Sequence, residues 1–142
     1  MDQLQLAFQI LQTHHFKLTK QRRSLLAYLV QYSNYYIALS QLDQHLRATY
    51  PTMSHETIYR NVKEMQHLDI VETKMFNNGL RVKFQCDFTT KEHSHFICQL
   101  CGRATEIPLP DFHKALDQLK NAQIDSYHVE VLGICEHCQT KN

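Results

Sequence analysis

The sequence predicts an α+β chain in two parts: a helical first part closed by a β-hairpin, and a shorter strand-rich second part that gathers all the cysteines. Three observations predict it. Apolar residues recur at helical spacing in four successive segments before residue 68, then alternate at strand spacing around Asn77-Asn78-Gly79. Cys86, Cys98, Cys101, Cys135 and Cys138 all fall after residue 85. The charge divides in the same place: residues 1–83 hold ten Lys/Arg against six Asp/Glu, and residues 84–142 five against eight. A basic half joined to an acidic half suits one part for a polyanion and one for cations.

Leu4, Ala7, Phe8 and Leu11 place a first helix over about 2–13. Thr19 can cap a second helix running to about Tyr32, with Leu25, Leu26, Leu29 and Val30 inward. A third covers about 39–49, where Ser40 with Asp43 resembles a capping box, and Pro51 breaks it. Ser54 is the natural N-cap of a fourth, about 55–67, with Ile58, Val62 and Met65 on one side and His55, Glu56, Tyr59, Arg60 and Lys63 on the other. Ile70–Phe76 and Leu80–Cys86 flank a turn whose Asn-Gly step supplies positive φ angles. In the second of these strands Leu80, Val82, Phe84 and Cys86 alternate with Arg81, Lys83 and Gln85, which predicts one packed face and one basic face.

Helices ending in a polar-faced one, then a hairpin, is the order of a winged helix-turn-helix. The boundary falls near 84–90, giving a DNA-binding domain over 1–84 and a metal-binding domain over 85–142. The second domain reads as short strands (about 95–98, 103–108 and 126–132) around one helix, about 111–121, with Phe112, Ala115, Leu116 and Leu119 inward. At 142 residues and 43 % hydrophobic content, with three Gly and three Pro, core material is adequate and a disordered chain is excluded. The N-terminus lacks the basic and apolar regions of a secretory signal, and no stretch approaches the ~18 apolar residues of a membrane span, so a cytoplasmic protein is expected.

Cys98-Gln99-Leu100-Cys101-Gly102 and Cys135-Glu136-His137-Cys138 form two C-x-x-C pairs with 33 residues between them. A C-x-x-C turn aims two sulfurs at one point, and two such turns can supply four thiolates in a tetrahedron about a structural zinc. A redox C-x-x-C or free thiols are the alternatives. Outside the pairs stand Cys86 and Glu92-His93-Ser94-His95. On a strand His93 and His95 share a face and can grip one ion together, with Cys86 as a thiolate and Glu72 or Glu106 as the carboxylate. A Cys-His-His-carboxylate set suits zinc better than iron or manganese. Glu92, His113 and His128 could form a third metal site. A hydrolase or deaminase is not expected: the sequence lacks H-E-x-x-H and the H-x-E…C-x-x-C pattern, and four candidate ligands leave no open position.

The segment Phe84–Gly102, the later Gly133–Cys138 and Thr57-Ile-Tyr-Arg-Asn61 resemble the ferric uptake regulator family, across nearly the whole chain. The resemblance implies homodimers with an N-terminal winged helix and a C-terminal α/β dimerisation domain, sensing iron, zinc, manganese, nickel or peroxide. Cys86 resembles the zinc-uptake branch, whereas iron and peroxide sensors usually carry an acidic residue there and His where this chain has Tyr36. By that similarity Glu72, Cys86, His93 and His95 are the sensing ligands, with Glu106 as a substitute. The chain departs from the family at the further site: Ser94 stands where Asp or His is common, His113 where Glu is common, and Tyr127 at the place of the last-strand His. The function implied is a zinc-loaded repressor of zinc-uptake genes on a palindromic, AT-rich operator, or else a sibling sensor of iron, manganese or peroxide. Each chain would hold one structural zinc and at least one regulatory zinc. Tyr59 and Arg60 are then the expected base or sugar-phosphate contacts, accompanied by His55, Thr57 and Lys63 on the same helix. Lys17 and Arg22 are expected at phosphates or the minor groove, and Arg81 and Lys83 in the wing.

Overall fold

A computed structural model describes residues 2–85, 93–125 and 127–140, with the backbone alone at His93. Contacts divide the chain into two compact units, Met1–Phe88 and Thr89–Asn142. In the first, α1 (Gln3–Thr13) is capped by Asp2, whose side chain accepts from Gln5 N at 2.8 Å. Thr19 caps α2 (Lys20–Gln31) and Ser54 caps α4 (His55–His67), as their sequences predict. The third helix, α3 (Leu39–Thr49), departs from expectation: its N-cap is Ala38, with no side-chain cap bond. Ser40 therefore caps nothing there, and Asp43 is engaged with His55 at 2.6 Å instead. A long-range partner has displaced the local one.

The apolar stripes of the four helices meet in one core with Leu25, Leu29, Leu42, Leu46, Ile58 and Met65 at its centre. Beside it lies a three-stranded sheet of order β1-β3-β2, formed by β1 (Ile37–Ala38), β2 (Val71–Phe76) and β3 (Gly79–Phe84). Phe76 pairs with Gly79 across the hairpin, and the positive φ is carried by Gly79 (126°) and not by either asparagine. The short β1, which pattern reading does not detect, pairs Ile37 with Val82 and makes β3 the central strand. That corrects the expected basic face. Lys83 is only 3 % exposed and donates to Phe84 O at 3.1 Å, while the Arg81 guanidinium lies 4.7 Å over Phe76 and donates to Tyr36 O at 3.3 Å.

In the second unit β4 (His93–Cys98) lies between β5 (Ala104–Glu106), antiparallel to it, and β6 (His128–Gly133), parallel to it. A parallel partner requires a crossover, and the crossover carries α5 (His113–Leu116) and a 3-10 turn, Asp117–Leu119. The expected helix over 111–121 is thus much shorter. None of Phe112, Ala115, Leu116 and Leu119 is buried, Leu119 being 50 % exposed, so the apolar spacing there finds little to pack on among the described residues. Phe112 instead meets Tyr127 edge-on, with ring centroids 5.5 Å apart. A last short helix, α6 (Glu136–Thr140), carries Cys138. No helix among the described residues is long and apolar enough to cross a membrane.

Candidate metal centre and nucleic-acid interface

The parallel pairing of β4 with β6 builds the cysteine site. Cys98 ends β4 opposite Gly133, so the turn after β6 delivers Cys135 beside the turn after β4. Gln99 N donates to Gly133 O at 2.8 Å and locks the two turns together. Gly133 leaves little space for a side chain: a Cβ there would come within 3.1 Å of the Phe96 ring, which would have to give by a few tenths of an ångström. Gly102, at φ 81°, closes the first C-x-x-C turn with its amide on Cys98 O at 3.0 Å.

The four sulfurs of Cys98, Cys101, Cys135 and Cys138 lie within 4.8 Å of one another, the one such donor group among the described residues. Cys98 to Cys138 and Cys101 to Cys135 both measure 3.7 Å. A disulfide needs about 2.05 Å. A regular tetrahedron of sulfurs ~2.3 Å from a central zinc has edges of ~3.8 Å. The spacing fits a shared ion and excludes a closed disulfide pair. Backbone amides of Cys101 and Cys135 point at the Cys98 sulfur, at 3.5 and 3.3 Å. Burial raises the Cys98 thiol, but these amides and that of Leu100 outweigh it and bring it down to about 6. Burial raises Cys101, and the hydrogen bond with Cys135 pushes Cys138 up to about 12. One sulfur is thus ready as a thiolate at neutral pH, and at least two others must shed a proton to ligate.

The expected sensing residues are distributed over both units. On β2, Glu72 accepts a hydrogen bond from the phenol of Tyr36 at 3.1 Å. On β4, His95 stands in register with Glu106 of β5 on one side and Glu130 of β6 on the other, so both carboxylates share its face. Cys86 and Glu92 lie outside the described residues. His128 is the register partner of His93, which puts it on the face of His95. His113 sits at the start of α5, 3.8 Å from Asp117. Among the described residues His113 and His128 belong to no converging group of three donors.

The fourth helix presents an exposed polar face. Ser54 Oγ receives Thr57 N at 3.1 Å and lies 2.9 Å from the Thr57 hydroxyl, so Thr57 serves the cap. Tyr59 and Arg60 are exposed, with Lys63 Nζ 5.7 Å above the Tyr59 ring and Arg60 4.0 Å from Glu64. Arg22 is turned inward: it donates to Asn61 Oδ1 at 3.2 Å, to Glu64 Oε2 at 3.5 Å and to the carbonyl of Lys17. His55 is held between Asp43 and Arg47 of α3. Sequence reading missed Asn61, Glu64, Asp43 and Arg47. The one available signal was Asn61, a polar residue three positions after Ile58 on the inward stripe of α4.

A family model described as "Ferric uptake regulator family" matches residues 13–132. The chain belongs to that family. It is 33 % identical over 135 residues to the ferric uptake regulation protein of Staphylococcus epidermidis strain ATCC 12228, covering 95 % of each chain. It is 26 % identical over 128 residues to the peroxide-responsive repressor PerR of Staphylococcus aureus strain USA300, covering 88 % of this chain and 84 % of that one. Among solved structures, a zinc uptake regulator complexed with zinc and DNA superposes with a TM-score of 0.71 at 22 % identity, over 97 % of this chain and 93 % of that one. The Helicobacter pylori ferric uptake regulator does so at 0.67 and 18 % identity, over 96 % and 91 %. These likenesses speak for the fold. The ferric uptake regulator family is one of transcriptional regulators, and the four-cysteine cluster in the second unit has the donors and spacing to hold a metal ion.

Proposed function

We propose that this chain is a zinc-responsive transcriptional repressor that binds palindromic, AT-rich operator DNA as a homodimer and controls zinc-uptake genes. The observation that carries the reading is the pairing of a four-sulfur centre of zinc dimensions with an exposed Tyr59–Arg60–Lys63 face on a doubly anchored helix. Cys98, Cys101, Cys135 and Cys138 would hold the structural ion, which cross-links the turns after β4 and β6. Glu72 and Cys86 of the first unit, with His93 and His95 of the second, are the proposed sensing set, and Glu106 is the reserve carboxylate. Glu92, His113 and His128 are the weaker third set. Because donors of the sensing set come from both units, filling it would couple the helix that reads DNA to the unit that dimerises. Coupling of ~3 kcal/mol corresponds to about two orders of magnitude in DNA affinity. Among the described residues β6 is an edge strand of its sheet, with Val131 and Leu132 exposed, which suits pairing with a second copy.

The test holds the four-sulfur site filled and sets free zinc with a chelator buffer while a palindromic AT-rich duplex is titrated. Binding about a hundredfold tighter with zinc is expected. Equal binding with and without zinc overturns the sensing role. A second reading, a sibling sensor of iron, manganese or peroxide, is favoured by the names of the curated relatives, a ferric uptake regulation protein and a peroxide-responsive repressor. Metal competition separates the two: the second requires iron or manganese to restore DNA binding at concentrations where zinc does not.

A further inference from the structure

Two hydrogen bonds on one imidazole tie α3 to the start of α4, and a third ties α3 to the turn between them. Arg47 Nε donates to Met53 O at 3.1 Å, in the turn between the helices. Arg47 Nη1 lies 2.9 Å from His55 Nε2, and His55 Nδ1 lies 2.6 Å from Asp43 Oδ2. A guanidinium can only donate, so Nε2 of His55 must accept; the ring proton is then on Nδ1 and is donated to Asp43. Asp43 and Arg47 are themselves i,i+4 neighbours on α3, 4.0 Å apart. His55 is the first residue of α4, where a held side chain fixes the entry angle of the whole helix.

We infer that His55 is a positioning residue, bound through its neutral Nδ1–H form between Asp43 and Arg47, and that this clamp sets the angle at which α4 presents Tyr59 and Arg60 to DNA. The inference rests on the reading of α4 as the DNA-contacting helix, and it replaces direct contact by His55 with action through α3. Asp43 is the more enclosed partner, its side chain 17 % exposed against 71 % for His55, so the anchor is on α3 and the ring is what it holds. Both ring nitrogens are taken up within the protein. A phosphate approaching His55 would have to displace a carboxylate or a guanidinium first.

The test uses the full zinc-loaded chain and four variants, His55→Ala, Asp43→Ala, the double variant and His55→Asn, with Arg60→Ala as a control. Operator and random-sequence affinities are measured at several salt concentrations, with helix content and zinc stoichiometry confirming that each variant is folded. Each single alanine variant is expected to weaken operator binding about fivefold, and the double variant no further, because the two residues act as one unit. The slope of affinity against salt should stay as in the parent, since no phosphate contact is lost. His55→Asn, whose amide can donate from the place of Nδ1, should recover most of the loss. Additive losses, or a flatter salt slope for His55→Ala alone, overturn the inference and make His55 a DNA contact. Silent His55 and Asp43 variants beside a crippling Arg60→Ala overturn the clamp and leave the reading of α4 standing. An Arg60→Ala variant that binds operator like the parent takes down that reading and the clamp with it.

Discussion

Removing the Arg22 side chain should cost the first unit a large part of its stability. Arg22 joins three elements, with donors on Asn61 Oδ1 at 3.2 Å, Glu64 Oε2 at 3.5 Å and the Lys17 carbonyl, and its guanidinium lies 5.3 Å from the centre of the Phe16 ring. In Arg22→Ala the Asn61 amide oxygen, in a residue 6 % exposed, loses that donor, which costs about 1–3 kcal/mol. The Glu64 pair is partly exposed, so solvent screening limits it to about 0–1 kcal/mol, and the contact with Phe16 adds about 0.5–1 kcal/mol. The total is about 3 kcal/mol, against the 5–15 kcal/mol of a typical domain. The four long helices all belong to the first unit, so urea unfolding followed by far-ultraviolet circular dichroism reports on it. With a slope of about 1–3 kcal/mol per molar urea, the midpoint should fall by at least about 1 M. Arg22→Lys, which can keep one of these partners but not all, should fall between. A midpoint within about 0.2 M of the parent would refute the reasoning. If operator affinity then dropped with a shallower salt slope, Arg22 would be a phosphate contact after all.

Cys101→Ser should abolish one tightly held zinc and lower the thermal stability of the second unit; unchanged metal content and an unchanged melt would remove the four-sulfur centre from the account. Loading that centre should expel protons at neutral pH, because Cys101 and Cys138 are held above the ordinary thiol range. Apparent affinity then rises with pH and weakens steadily towards acid, which calorimetry in buffers of different ionisation enthalpy detects as a buffer-dependent heat. Tyr36→Phe keeps the ring, 5.9 Å from Phe76, and deletes the donor to Glu72. If Glu72 ligates, second-site zinc affinity should fall about tenfold in chelator competition, as for other outer-shell partners; equal affinity would leave that phenol without a part in sensing.

Much of this was legible in the sequence where the cause is local. Thr19 and Ser54 stand directly before the helices they cap, and the two C-x-x-C pairs announce a shared centre by spacing alone. What was not legible depends on partners far along the chain. Asp43 looked like half of a capping box because nothing nearby says that His55 will claim it. The intramolecular partners of Arg22, expected at phosphates or the minor groove, were hidden because Asn61 and Glu64 are 39 and 42 positions away. Lys83 looked exposed because strand alternation says which face a side chain leaves from, not that its amine will fold back onto the Phe84 carbonyl. The apolar spacing around residues 112–119 was real, but periodicity cannot say what a stripe will pack on. The proposed sensing set is readable only as donor chemistry, since its members are spread over both units.

The parallel pairing of β4 with β6 has a consequence in time. About thirty residues separate the two strands, and contacts between such distant segments form slowly during folding. Until they form, each C-x-x-C turn can offer an ion only two sulfurs. Capture of an ion by all four would therefore wait on the pairing of β4 with β6, which would couple the folding of the unit to the metal supply.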